Sequence, residues 1–201
     1  WSSDVCSSDL AAACAAIAVV QGMHLPVAPA VKGLQLLTSA KGHLRVISGI
    51  KYTVLIDDTY NSSPDAVRAA LEALKSVQTS GNKIAVLGDM LELGKYAGEE
   101  HRSIGIEVVG IANQLITVGP RSRATADAAI NSGLSKDAVR SFDTAVESAE
   151  YLKLLIKPGD IVLIKGSQSI RMERVVVPLM QEPARAGELV VRQEKEWLDK
   201  K

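Results

Sequence analysis

From residue 43 onward, short apolar runs alternate with longer stretches in which apolar residues recur every third or fourth position. The runs Tyr52-Thr53-Val54-Leu55-Ile56, 83–87, Gln114–Val118, Val139–Phe142 and 161–164 are too short for helices. They are rich in β-branched and aliphatic side chains and predict strands, mostly buried. The intervening stretches 64–77, 99–112, Arg123–Asn131, 144–156 and 170–180 read as helices. In the first, Val67, Leu71 and Leu74 form a stripe with Ala70 beside it. Local chemistry marks the boundaries. Ser63 suits an N-cap, Pro64 the first helical position and Asp65 the positive end of the helix dipole. Asp143 is expected to cap the helix over 144–156. Gly81-Asn82, Gly119-Pro120, Gly133 and Lys157-Pro158-Gly159-Asp160 supply breaks and turns. Ahead of the first strand, His43-Leu44-Arg45-Val46-Ile47 and the connection Ser48-Gly49-Ile50-Lys51 predict a β-hairpin. Together these elements predict an α/β fold with a Rossmann-like, mostly parallel sheet, an antiparallel edge hairpin and flanking helices.

The ends of the chain read differently. Residues 1–10 begin with Trp1 rather than Met, fit neither period and read as a non-native leader. The alanine-rich stretch 10–20 predicts a helix stopped by Gly22, and 25–39, with Pro26 and Pro29, reads as a linker. The main domain is expected over 40–180. The charged tail 181–201 is expected to dock as a terminal helix through Leu189, Val190, Trp197 and Leu198.

Composition narrows the function classes. The chain is 47% hydrophobic but only 3% aromatic, so its core must be aliphatic. Its 23 basic and 23 acidic residues cancel without a basic stripe, which argues against nucleic acid or an anionic membrane as partner. Cys6, Cys14 and three scattered histidines offer no metal-ligand spacing. No apolar run reaches the roughly 20 residues that cross a bilayer. A cytoplasmic monomer is expected.

Candidate chemistry collects at three strand exits, the side of an open α/β sheet where ligands bind. In Asp57-Asp58-Thr59-Tyr60-Asn61, a carboxylate can bind ribose hydroxyls, hold magnesium or accept a phosphoryl group; the alternative is an Asx-turn that caps backbone amides. In Leu87-Gly88-Asp89-Met90-Leu91-Glu92-Leu93-Gly94, Asp89 and Glu92 either face the same edge or are solvated loop acids. Lys165-Gly166-Ser167, followed by Arg171, makes a phosphate or carboxylate site before a helix N-terminus, or only a capped helix with Ser169 as N-cap and Arg171 solvated. His101, Tyr96 and Met90 read as structural or surface residues. Neither a Gly-x-x-x-x-Gly-Lys-Ser/Thr phosphate loop nor a Gly-x-Gly-x-x-Gly turn occurs.

Taken in order, Asp57-Asp58-Thr59-Tyr60-Asn61-Ser62-Ser63-Pro64-Asp65, Val86-Leu87-Gly88-Asp89-Met90-Leu91-Glu92-Leu93-Gly94 and Lys165-Gly166-Ser167 with Arg171-Met172-Glu173-Arg174 resemble the C-terminal part of the Mur ligases, over about residues 11–180. The resemblance implies an ATP-dependent ligase of peptidoglycan precursor synthesis, with magnesium, UDP-MurNAc-tripeptide and D-Ala-D-Ala. It implies that residues 11–39 end a central ATPase domain, which in that family holds the phosphate loop and metal ligands, so that this chain alone is inactive. It implies that Asp57, Asp58, Tyr60 and Asn61 face the nucleotide, and that Asp89, Lys165, Ser167 and Arg171 face the dipeptide or phosphate side. The chain departs from the family in Gly42-His43, where an arginine is common. Other readings are a sister ligase such as a folylpolyglutamate synthase, a phospho-receiver domain, whose acids and lysine Asp57, Asp58, Asp89 and Lys165 mimic, and a catalytically silent binding module.

Overall fold

The computed structural model describes residues 7–34 and 39–199, with side chains from residue 13 on. These fall into two compact units, 1–40 and 41–201. In the first, helix α1 (Ser7–Gly22) begins inside the stretch read as a leader; Trp1 to Cys6 lie outside the described residues. The expected linker contains a second helix, α2 (Val27–Leu34). Pro29 sits in its first turn, where its missing N–H would have no intrahelical partner anyway.

The second unit carries the six strands β1 (Arg45–Ser48), β2 (Val54–Asp58), β3 (Lys83–Gly88), β4 (Gln114–Val118), β5 (Val139–Phe142) and β6 (Ile161–Lys165). They form one sheet in the order β1-β2-β6-β3-β4-β5, antiparallel between β1 and β2 and parallel elsewhere. The last strand thus inserts between β2 and β3. This order separates the fold from the 2-1-3-4-5 arrangement of receiver domains, in which the chain's final strand lies at an edge.

Alternating side chains along the parallel strands feed two aliphatic layers. Helices α3 (Pro64–Ser76), α4 (Ala97–Val108) and α5 (Arg123–Asn131) cover one face through Val67, Leu71, Leu74, Ile104, Val108 and Ala129, against Leu87, Leu115 and Leu163. Helices α6 (Ala145–Leu155) and α7 (Glu173–Leu179) cover the other through Ala149, Leu152, Val176 and Leu179, against Leu55, Val86, Ile116 and Ile164. Burial of this aliphatic surface, rather than aromatic packing, drives the fold.

Side-chain caps mark the starts of α3 and α6. The Ser63 hydroxyl accepts the Ala66 N–H and Pro64 opens α3, as the sequence predicts. Helix α6 is capped by Thr144 instead of Asp143. The Thr144 hydroxyl accepts the Glu147 N–H while the Glu147 carboxylate accepts the Thr144 N–H. That reciprocal box satisfies two backbone donors, and Asp143 pairs with Arg123 at 2.7 Å. Helix α7 begins at Glu173 rather than 170. A 3-10 turn over Gln168–Ile170 and the left-handed backbone of Arg171 (φ 61) break the run before it. The tail is not one helix. A 3-10 turn over Pro183–Arg185 leads into α8 (Ala186–Leu189), and α9 (Lys195–Leu198) follows extended Val190 and left-handed Arg192 (φ 58). Val190 is buried, but Leu198 is 60% exposed and anchors nothing. No helix among the described residues is long and apolar enough to cross a membrane.

Candidate functional site

Because β2, β6 and β3 run parallel side by side, their carboxyl ends open on one edge. Asp58 and Lys165 are paired in register there. Lys165 Nζ lies 2.7 Å from Asp58 Oδ2, with the side chains 3% and 11% exposed respectively. The same ammonium donates to the Asn61 carbonyl at 2.9 Å, and Asp58 Oδ1 accepts the Leu44 N–H at 3.2 Å. The strand exit is therefore a neutral, nearly dry ion pair rather than a free cation. Its solvent-facing groups are Tyr60 and Asn61, both exposed. The Asn61 amide oxygen accepts the Ser62 N–H. Tyr60 donates its N–H to the Gly42 carbonyl at 3.0 Å and sets its ring 4.7 Å from that of His43. Gly42 has φ 71, and a Cβ there would stand 2.9 Å from Tyr60 N, so the approach requires glycine.

Asp57 does not join this group, because neighbouring strand residues point to opposite faces. It is fully buried. Its Oδ1 accepts the hydroxyl and N–H of Thr59 at 2.6 and 3.2 Å, while Oδ2 has no partner. Burial pushes its carboxyl up to about 6; the Thr59 hydrogen bonds oppose this, and the nearby Asp58 and Glu173 charges reinforce it.

Asp89 and Ser167 each make bonds within the framework. The Asp89 carboxylate accepts the Ser122 N–H at 2.7 Å beneath Gly119, whose φ of 103 and missing Cβ make room for it. The Ser167 hydroxyl accepts the Leu91 N–H and its own N–H donates to the Asp89 carbonyl, tying the β6 exit to the β3 exit. Arg171 is not solvated. It pairs with buried Glu173, donates to the Trp197 carbonyl at 3.0 Å and lies 5.2 Å from the Trp197 ring. His101 and Met90 are buried, the imidazole Nε2 accepting the Met90 N–H at 3.0 Å, and Tyr96 is exposed.

Sequence reasoning missed Arg192 and gave Glu173, quoted only within the third motif, no role of its own. Arg192 donates to the carbonyls of Thr59 and Tyr60 at 2.9 and 2.5 Å and lies 3.5 Å from Glu173. Neither residue stands on a periodic stripe, and 192 follows 59 by more than half the chain, so no local signal marks the pair. Among the described residues no cluster of three or more histidine, cysteine or acidic side chains could hold a metal.

This architecture defines a Rossmann-like α/β domain with a polar edge at the carboxyl ends of its central strands. The chain belongs to the Mur ligase family: residues 44–168 match the domain described as "Mur ligase, glutamate ligase domain". It is 30% identical to the UDP-N-acetylmuramoyl-tripeptide–D-alanyl-D-alanine ligase of Bacillus subtilis over 83% of its own length and 37% of that protein's. It is 31% identical to the ligase of the same name from Buchnera aphidicola, over 88% of the chain and 36% of the relative. The structure superposes on MurF from Acinetobacter baumannii with a TM-score of 0.76 at 31% identity, covering 87% of this chain and 38% of the other. A MurF ligase from Thermotoga maritima in complex with ADP gives 0.67 at 27% identity, covering 84% and 37%. The chain thus spans little more than a third of the length of these relatives.

Proposed function

We propose that this chain serves as the C-terminal, nucleotide-facing domain of a cytoplasmic ATP-dependent ligase that adds D-Ala-D-Ala to UDP-MurNAc-tripeptide in peptidoglycan precursor synthesis, acting as a monomer. In this reading ATP transfers its terminal phosphoryl group to the tripeptide's carboxylate and leaves as ADP. The dipeptide's amine then attacks the acyl phosphate, a peptide bond forms, and phosphate departs. The domain closes over the nucleotide as a lid and does not turn over substrate alone. Magnesium is assigned to the ligase's central domain, and the roles proposed for this chain's residues do not route through it.

The observation that carries the reading is the β2 exit, where Asp58 and Lys165 form a nearly dry pair beneath exposed Tyr60 and Asn61. A carboxylate held by a lysine and a backbone N–H is a fixed acceptor for a ribose hydroxyl, and an exposed tyrosine and amide beside it suit a nucleoside's face and edge. Lys165 holds the Asp58 carboxylate in place rather than reaching for phosphate. Asp57, Asp89, Ser167 and Arg171 shape the exits around these groups.

The reading is tested in the complete ligase by Tyr60→Ala and Asp58→Ala. Both are expected to raise KM for ATP, by about tenfold or more as for a lost binding contact, while KM for the dipeptide stays put. Tyr60 is 52% exposed, so its removal leaves the fold intact. An unchanged KM for ATP in both variants overturns the assignment.

A further inference from the structure

The backbone carbonyls of Thr59 and Tyr60 leave the end of β2 with no strand to receive them, and one guanidinium takes both. Arg192 comes from the tail, is 6% exposed, and reaches Thr59 O through Nη1 and Tyr60 O through Nη2. Glu173, itself 1% exposed, lies 3.5 Å from it and is shared with Arg171. Trp197 stands against both guanidiniums, with centroid distances of 5.2 and 5.7 Å. Arg192 holds a left-handed backbone (φ 58), which an arginine adopts at a cost and keeps where its surroundings fix it.

On the other side of the same turn, Tyr60 N–H is bonded to Gly42 O and the Asn61 carbonyl to Lys165. The exposed Tyr60 and Asn61 thus stand on a short backbone segment clamped from two directions.

We infer that Arg192, with Glu173 as its counter-ion, is a positioning residue for the nucleotide-facing turn 59–61, so that the docked tail is a working part of the site. This rests on the reading of that turn as nucleotide-facing. Arg192 touches no substrate; it acts by fixing where Tyr60 and Asn61 stand. Lysine cannot replace it fully, because a point charge does not present two rigid donors to adjacent carbonyls.

The test combines amide hydrogen exchange on this chain with kinetics of the complete ligase, for Arg192→Ala and Arg192→Lys. In Arg192→Ala the Tyr60 amide is expected to exchange about tenfold faster or more, as for loss of a charged hydrogen bond, with β3 and β4 amides unchanged. KM for ATP is expected to rise about tenfold with kcat within about twofold, and Arg192→Lys to fall between. A merely structural role would lower active enzyme without moving KM. Unchanged exchange at Tyr60 in both variants overturns the inference whatever the nucleotide does. Faster exchange with an unchanged KM overturns it too, provided Tyr60→Ala raises KM; if Tyr60→Ala is silent as well, the nucleotide reading is what has failed.

Discussion

Replacing Asp57 with asparagine is expected to stabilise the protein increasingly as pH rises toward neutrality. The carboxyl lies on the inner face of β2 with one oxygen unpartnered, and burial raises it from 3.8 to about 6. The sign follows from linkage. A folded-state pKa above the unfolded one means that the folded chain holds the proton longer. The group's contribution is therefore most favourable below about pH 4 and is lost as pH rises through 6. A shift of that size amounts to about 3 kcal/mol at pH 7. Asp57→Asn keeps an oxygen to accept from Thr59 and removes the charge. Urea unfolding followed by circular dichroism at pH 4, 5, 6 and 7 reads the effect. At pH 4 variant and parent are expected to be close, with the variant held back where its new amide lacks a partner. By pH 7 the variant gains about 2.5 kcal/mol relative to that starting point, mostly between pH 4 and 6. Comparing the two proteins cancels the titration of every other carboxylate. A stability difference that stays constant across this range would refute the reasoning.

Two further predictions concern stability. Lys165→Met should cost about 3 kcal/mol or more, because it leaves Asp58 buried without its counter-ion, while Asp58→Asn/Lys165→Met should recover much of that loss in a double-mutant cycle measured by urea unfolding. Thr144→Ala should destabilise the chain by about 1 kcal/mol through loss of the α6 cap, whereas Asp143→Ala, which breaks only an exposed pair with Arg123, should cost about 0.5 kcal/mol or less by the same assay.

Much of the fold is legible in the sequence because its signals are local. The strands Gln114–Val118 and Val139–Phe142 and the helix Arg123–Asn131 match their apolar runs and flanking glycines to the residue. Ser63 and Pro64 mark the start of α3 as written. Where two local signals compete, only geometry decides, as with Thr144 over Asp143. The tail illustrates the opposite limit. Its charged residues and apolar anchors suggest one docked helix, yet Arg192 contacts Thr59 and Trp197 contacts Arg171, far away in sequence, and such contacts override propensity. At the candidate site the β2 exit stands out as a cluster of polar residues after an apolar run. The division of labour within it does not, because alternation along β2 sends Asp57 inward and Asp58 toward Lys165, a partner supplied by a strand inserted from the end of the fold. The same holds for Arg171, whose place beside Glu173 depends on a left-handed residue that no helical pattern reveals.

The measurement that bears most directly on the central claim is phosphate release from ATP by the complete ligase carrying this domain, with UDP-MurNAc-tripeptide present and D-Ala-D-Ala added or withheld. Sustained release that requires both tripeptide and dipeptide is the predicted result. Release supported by a single amino acid in place of the dipeptide, or none with the dipeptide present, would contradict it.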